Sequence, residues 1–263
     1  MHSNSDEGFF LDLISYLFLG SVQGLTEFLP ISSSGHIELF SKYFNFNISN
    51  LTFDITVHLA SLFAVLLFFK LNYSNSIQNN NEILSNRNLI FFSFIPIGVF
   101  GILFRDFLNN DARELLIIGI SFIFSGIIIS LHFFKKYKVS FFYIVIFASI
   151  FQTFAAFPGI SRSGMVIGVS VLLGLELRKS IILSFLMSIP LIIISSSYEL
   201  IMSILNGFSQ IELQYLLVAF ISSFFMSYLG IKLMVFVSKF FQLRIFGFYN
   251  LILGISILIL SFI

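Results

Sequence analysis

Gln23-Gly-Leu-Thr-Glu-Phe-Leu-Pro-Ile-Ser-Ser-Ser-Gly35 is the stretch on which the reading of this chain turns. It places a carboxylate, Glu27, in an otherwise apolar neighbourhood, breaks at Pro30 and restarts through a run of serines. It also has an echo. Gln152-Thr-Phe-Ala-Ala-Phe-Pro-Gly-Ile-Ser-Arg-Ser-Gly164 aligns with it without a gap; Gln, Phe, Ile, Ser, Ser and Gly coincide, and Pro shifts by one place. Gln23 and Gln152 stand 129 positions apart in a chain of 263, close to half its length, which is the mark of an internal duplication.

The surroundings of the two stretches are those of a membrane protein. Hydrophobic residues make up 57% of the chain, charged residues 10%, and the mean hydropathy is +1.00. A water-soluble domain carries about 25% charge. Apolar runs recur at 55–69, 115–134, 216–237 and 245–263, near the roughly 20 residues that a helix needs to cross the hydrocarbon core. The short alternating segments of a β-barrel are absent. The expected fold is an all-α polytopic membrane protein, a single integral membrane domain over 1–263. Asp6, Glu7 and Asp12 occupy the place of the basic region of a cleaved signal, so the first helix is expected to be retained. Without cysteine there is neither disulfide nor thiolate metal site, and a net charge of +1 gives no reason to expect nucleic acid. The 38 phenylalanines, with no tryptophan, fit an AT-rich codon bias and carry no functional weight.

Breaks in the apolar pattern predict helices near 9–22, 34–45, 52–70, 88–104, 112–134, 140–155, 162–175, 179–203, 213–237 and 245–263. The Asn- and Ser-rich segment 72–88 reads as a solvated loop. Lys and Arg cluster at 70–87, at Lys135, Lys136 and Lys138, at Arg178 and Lys179, and at Lys239 and Arg244, which makes these ends cytoplasmic. The 105–114 loop is mixed in charge, and Glu199 and Glu212 flank a loop with no Lys or Arg; both read as exterior. Threading the chain through these assignments forces the half-length pairs 9–45 and 140–175 to dip in and return, from opposite sides. The expectation is an inverted-topology repeat, 9–134 and 140–263, with two re-entrant helical hairpins meeting near the bilayer midplane.

At each break a serine stands where a helix N-cap is wanted, Ser32 or Ser33 in the first and Ser161 in the second. Unpaired N–H groups at such a helix start bind phosphate, and irregular backbone at membrane depth is tolerated where it is buried in protein or lines a wet cavity. Glu27, His36 and Arg162 lie in or beside these stretches, and ionisable groups at membrane depth are functional candidates by default. Arg162 offers a planar fork of donors for phosphate oxygens. Gln23 and Glu27, four apart, share a helical face and suit one hard cation of the Mg²⁺ type; a bare Glu27–Arg162 ion pair is the plainer alternative. His36, three after Ser33, stands where a general base for a hydroxyl nucleophile would stand, with Ser33 and a water activated by the same His as the two alternatives. His58, four after Asp54, reads at least as well as a structural histidine beside a helix cap; His132 reads as interfacial, and Glu38 with Lys42 as a solvated pair.

Glu27-Phe-Leu-Pro-Ile-Ser-Ser-Ser-Gly-His36 and Pro158-Gly-Ile-Ser-Arg-Ser-Gly164 resemble the two signature motifs of the undecaprenyl-diphosphatase family, the bacitracin-resistance membrane phosphatases of bacteria. Further matches run through 53–65, Ile95-Pro96, Gln152, and Ser184-Phe185 to Pro190. The resemblance implies hydrolysis of undecaprenyl diphosphate to the monophosphate, recycling the carrier lipid for the cell wall. It also implies a divalent metal, Mg²⁺ or Ca²⁺, and a cleft open to the outer face of the plasma membrane. By the family pattern Ser33 and His36 do the chemistry, Glu27 assists as base or metal ligand with Gln23, and Arg162 holds the diphosphate. Ser161, Ser163, Ser32, Ser34, Gly159 and Gly164 complete the expected substrate-binding set. Two positions depart from the pattern: Gln23 replaces an acidic residue, and Val166 stands where Thr is frequent. The expected partners are the polyprenyl diphosphate and membrane lipids, with a homodimer left open. The rival is a flippase or transporter of the same lipids, which would need Arg162 and the helix ends but no base. The inverted topology has a direct check: single cysteines introduced at Asn79 and Ser209 are expected to label from opposite sides of intact cells, and same-side labelling would sink it.

Overall fold

The computed structural model describes residues 3–44, 46, 51–73, 81–131, 138–206, 213–240 and 243–261. The described residues are mostly helical, without a strand: α1 (Ser3–Glu27), α2 (Ser33–Phe44), α3 (Leu51–Tyr73), α4 (Asn81–Ser85), α5 (Arg87–Phe91), α6 (Ile95–Leu103), α7 (Arg105–Asn109), α8 (Leu115–Ser130), α9 (Phe141–Phe151), α10 (Arg162–Leu172), α11 (Leu177–Asn206), α12 (Leu213–Phe240) and α13 (Arg244–Ser261). Stretches of 3₁₀-helix run over Phe92–Phe94, Asp111–Arg113 and Gln152–Ala156. Within α3, α11, α12 and α13 lie four spans long and apolar enough to cross a membrane. A fifth results if Arg87–Leu103 and Arg105–Arg113, bent by 85°, count as one. The chain is a multi-pass membrane protein.

Three differences from the sequence reading have physical causes. The first helix continues past residue 22 to Glu27, because Gly20 and Gly24 give it a flat face against α12; a Cβ on Gly24 would lie 2.3 Å from the Ser223 carbonyl oxygen. The polar segment after α3 is not all loop, since α4 forms within it and buries Ile83. That helix also carries Glu82, paired with Lys179 at 3.0 Å, a half-exposed contact of little energetic weight. Finally, the span near 88–104 is built from α5, a 3₁₀ turn and α6, with Pro96 at the start of α6, where a missing N–H costs nothing. Lys135, Lys136, His132 and Glu212 lie outside the described residues, as does much of the 72–88 segment.

Packing is pairwise and close. α1 lies along α12, α12 along α3, α3 along α11, and α8 along α13. The α8–α13 contact runs antiparallel through glycines: a Cβ on Gly119 would meet Leu258 and the Gly254 carbonyl, and one on Gly126 the Gly247 carbonyl. Such small-residue faces let backbones approach where lipid supplies no hydrophobic drive for association. The short helix α10 packs against α8, α9 and α11 and fills the interior with Met165, Val166 and Ile167, all fully buried. Gly24→Ala is therefore expected to lower stability by roughly 1–3 kcal/mol through overpacking, read as a lower melting temperature in detergent. Gly98→Ala, with nothing within 4 Å of the added carbon, is expected to leave the melting temperature unchanged or raise it.

Candidate active site

The two helix breaks meet, and they satisfy one another. Ser32, which has φ of +66°, places its Oγ to accept the Gly35 N–H at 3.3 Å, capping α2, and the Gly159 N–H at 3.1 Å from the second break. In return Ser163 donates to the Leu29 carbonyl at 2.8 Å. Ser161 is the N-cap of α10, its Oγ accepting from the Gly164 N–H at 3.0 Å, while its own N–H donates to Ser125 Oγ at 3.2 Å. Asn250 of α13 donates to the Pro30 carbonyl at 2.9 Å. Gly159 adopts φ of +100°, and a Cβ there would lie 2.7 Å from the Ile118 carbonyl, so only glycine fits. A Cβ on Gly35 would sit 2.7 Å from the Gly159 Cα, which measures how tightly the turns abut.

This junction brings Glu27, at the end of α1, against Arg162, at the start of α10. Arg162 donates to Glu27 Oε1 at 2.7 Å, and Ser33 and Gln23 each donate to Glu27 Oε2 at 2.8 Å. The carboxylate thus accepts from three side chains on three elements. Arg162 also donates to the Ser184 carbonyl of α11 at 3.3 Å. Glu27 is buried and Arg162 nearly so. A pair this deep costs desolvation that only such additional hydrogen bonds offset.

Glu27, Ser32, Ser33, Ser34, Ser161 and Arg162 line a cavity of about 490 Å³. Apolar residues of α6 and α11, among them Ile97, Ile102, Leu191 and Ile194, form much of its remaining wall. The geometry alters several expectations. The serine–histidine pair does not form: Ser33 turns to Glu27, whereas His36 is buried behind the wall, outside the cavity lining. Its Nδ1–H donates to the Ser32 carbonyl at 2.7 Å, and its Nε2 accepts from the Tyr249 hydroxyl at 2.6 Å, with the two rings stacked 5.7 Å apart. Both ring nitrogens are engaged. Ser163, Gly159 and Gly164 likewise shape the turns from behind, and Val166 is core. His58, for which a structural role was at least as good a reading of the sequence, lines the cavity, its Nδ1 3.3 Å from Gln23 Nε2. Its signal was a polar residue on an otherwise apolar helix, four from Asp54. Gln23 itself lies outside the lining and links Glu27 to His58.

Further charges stand along the same cavity. Glu38 pairs with Arg113, and Lys42 donates to the Arg113 carbonyl, so these residues tie α2 to the 3₁₀ turn rather than forming a solvated pair with each other. Arg105 and Glu199, unremarked as site residues in the sequence, also line it. Gln152, the counterpart of Gln23, donates to the Ser93 carbonyl at 2.6 Å and takes no part in the cavity. Among the described residues no group of three or more His, Cys, Asp and Glu side chains stands close enough to hold a metal alone.

Known proteins are similar to this chain over most of its length. It is 32% identical over 256 residues to an undecaprenyl-diphosphatase of Halothermothrix orenii, covering 95% of this chain and 99% of that one. It is 37% identical over 252 residues to one of Thermosipho africanus, covering 92% and 98%, and 30% identical over 262 residues to one of Campylobacter curvus, covering 94% and 98%. The family model described as bacitracin resistance protein BacA matches residues 16–256, a range that takes in both helix breaks, the Glu27–Arg162 pair and the α13 residues that brace the first turn. The chain belongs to the bacitracin resistance protein BacA family.

Proposed function

We propose that this chain hydrolyses undecaprenyl diphosphate to undecaprenyl phosphate and inorganic phosphate, recycling the carrier lipid used in cell-wall synthesis. The observation that carries the reading is a single one: a serine hydroxyl, a carboxylate and a guanidinium joined in one hydrogen-bonded unit, Ser33–Glu27–Arg162, on the wall of a cavity otherwise largely apolar. An anionic head group bound there exchanges with Glu27 for the Arg162 donors, which suit phosphate oxygens in pairs. Glu27, relieved of its counter-charge, takes the Ser33 proton. The Ser33 oxygen attacks the terminal phosphorus, the bridging P–O bond breaks, and the electron pair leaves on the polyprenyl phosphate. Glu27 passes that proton to the departing polyprenyl phosphate. Water then attacks the phosphorus and gives a proton to Glu27, and Glu27 returns it to the leaving Ser33 oxygen, which regenerates the hydroxyl and frees inorganic phosphate. A protein that only bound or moved the lipid would need no nucleophile beside the carboxylate, whereas here the Ser33 hydroxyl already donates to Glu27. His36 acts in this scheme by holding the Ser32 carbonyl, and Tyr249 by holding His36.

Mg²⁺ takes one or two protein carboxylates together with substrate phosphates and water, and Ca²⁺ accepts a larger, looser set of oxygens. Glu27, with Gln23 as its neutral neighbour, fits that sparse requirement although it forms no closed cage. When bound, the ion would neutralise charge on the diphosphate. We further infer that the two broken helices are re-entrant hairpins of an inverted repeat, 9–134 and 140–263. In support, a shift of 129 positions carries the start of α2 at Ser33 onto Arg162, where α10 starts, and the start of α8 at Leu115 onto Arg244, where α13 starts. The cationic loops support a plasma-membrane orientation with the cleft open to the outer face.

Purified protein in detergent is expected to release phosphate from a C55 or C15 diphosphate. Ser33→Ala and Arg162→Gln are each expected to reduce the rate by about 10² or more, the scale of losing a nucleophile or a charge-stabilising donor. Binding of the lipid without release would overturn the hydrolase reading. Because removing one partner of a buried ion pair costs about 3–5 kcal/mol, each variant is compared only after its melting temperature is shown to stay above the assay temperature. Tyr249→Phe separates the two roles open to His36. A bracing role predicts a loss of activity, about threefold to tenfold from one hydrogen bond, whereas a base role predicts none. EDTA is expected to abolish turnover, with recovery on adding Mg²⁺ or Ca²⁺; undiminished turnover in EDTA would refute the metal assignment.

A further inference from the structure

Three arginines line the cavity, and one of them differs from the others. Arg162 is paired with Glu27 and Arg113 with Glu38. Arg105, the first residue of α7, has no carboxylate within ion-pair distance among the described residues and donates no hydrogen bond to them. Among the described residues its guanidinium lies over the Tyr198 ring of α11, whose centroid is 5.9 Å from the guanidinium carbon. The acids in its vicinity by sequence are turned elsewhere: Asp106 and Asp111 are exposed and outside the lining. Glu199, beside Tyr198, does line the cavity, but it forms no ion pair with Arg105, and its Oε2 has no hydrogen-bond partner among the described residues.

Arg105 is half-buried, and apolar residues, Ile102 and Leu108 among them, line the cavity with it. Part of its hydration is lost against these walls, and an anion at the guanidinium would replace it. An aromatic face offers some compensation, but the five N–H donors of the guanidinium remain unspent. Their planar fork matches the oxygens of a phosphate better than those of any neutral ligand. Arg105 and Arg162 open onto one continuous cavity, and Arg105 sits beyond the 85° bend that separates α6 from α7.

We propose that Arg105 is a second phosphate-binding position in this cavity, distinct from Arg162, with Tyr198 as the residue that positions it. Resting on the hydrolase reading, the phosphate has two sources: the head group of the incoming lipid, or the inorganic phosphate on its way out.

The experiment titrates inorganic phosphate into purified protein in detergent by calorimetry and, in parallel, measures KM for a C15 diphosphate and inhibition by phosphate. Arg105→Ala is expected to weaken phosphate binding about tenfold, the scale of one charge-assisted contact, Arg105→Lys less, and the same loss should appear in an Arg162→Gln background. Tyr198→Leu should weaken binding and Tyr198→Phe should retain it. A raised inhibition constant with unchanged KM assigns the position to departing phosphate; a raised KM assigns it to the incoming head group. Unchanged phosphate affinity and unchanged KM in Arg105→Ala would overturn the proposal. Should the wild-type protein release no phosphate, the hydrolase reading fails on its own, and the calorimetric arm still decides Arg105. If Arg105→Ala does not fold, Arg105→Lys and the Tyr198 pair carry the same test.

Discussion

A helix broken within an apolar environment leaves N–H and C=O groups that no water is at hand to satisfy, and each left unpaired costs several kcal/mol, on the order of a full desolvation penalty. This protein breaks two helices and sets the breaks against each other. Ser32 Oγ accepts one N–H from its own helix and one from the opposite turn, Ser163 returns a hydrogen bond to Leu29, and Asn250 takes the Pro30 carbonyl. The serines are therefore structural currency before they are chemistry. Gly35 and Gly159 allow the turns to close to a distance that no side chain would permit.

The Glu27–Arg162 pair is a product of that junction. Its members are 135 residues apart in sequence and 2.7 Å apart in space. A buried ion pair is poor stabilisation in itself, since hydrophobic residues of similar volume serve about as well. Its persistence here makes sense if the guanidinium is held in reserve for a more highly charged anion, with the carboxylate as a placeholder. Ser33, already bonded to that carboxylate, is positioned to respond when the placeholder is displaced.

Gln23 refines this picture. It donates to Glu27 and approaches His58, so it shares the carboxylate's charge without adding another. Glu27 then lies against Arg162, which balances its charge. The remaining charges, Arg105, Arg113, Glu38 and Glu199, are arranged along the same cavity on α7, the 3₁₀ turn, α2 and α11. The cavity thus combines apolar walls suited to an isoprenoid chain with polar groups that converge on its charged end, the usual economy of a binding site.

Membrane residence, all-helical architecture and the pairing of two motifs were legible in the sequence, because hydropathy, Pro–Gly–Ser breaks and an echo 129 positions long in spacing are local or periodic properties. Glu27, Ser33 and Arg162 were legible for the same reason: charged and hydroxylic residues in an apolar context announce themselves. What the tertiary structure alone decided was which of them face one another. Ser33 and His36 share a helical turn in sequence, yet Ser33 points to a carboxylate on α1 while a tyrosine 213 residues away draws His36 into the wall. His58, which the sequence left open between a structural and a functional role, came to the cavity because α3 packs beside α1 and α11. The continuation of α1 to Glu27 depended on glycines pressed against α12. Direction around a helix axis and contact between distant segments are set by packing over the whole chain, and no window of sequence contains that information.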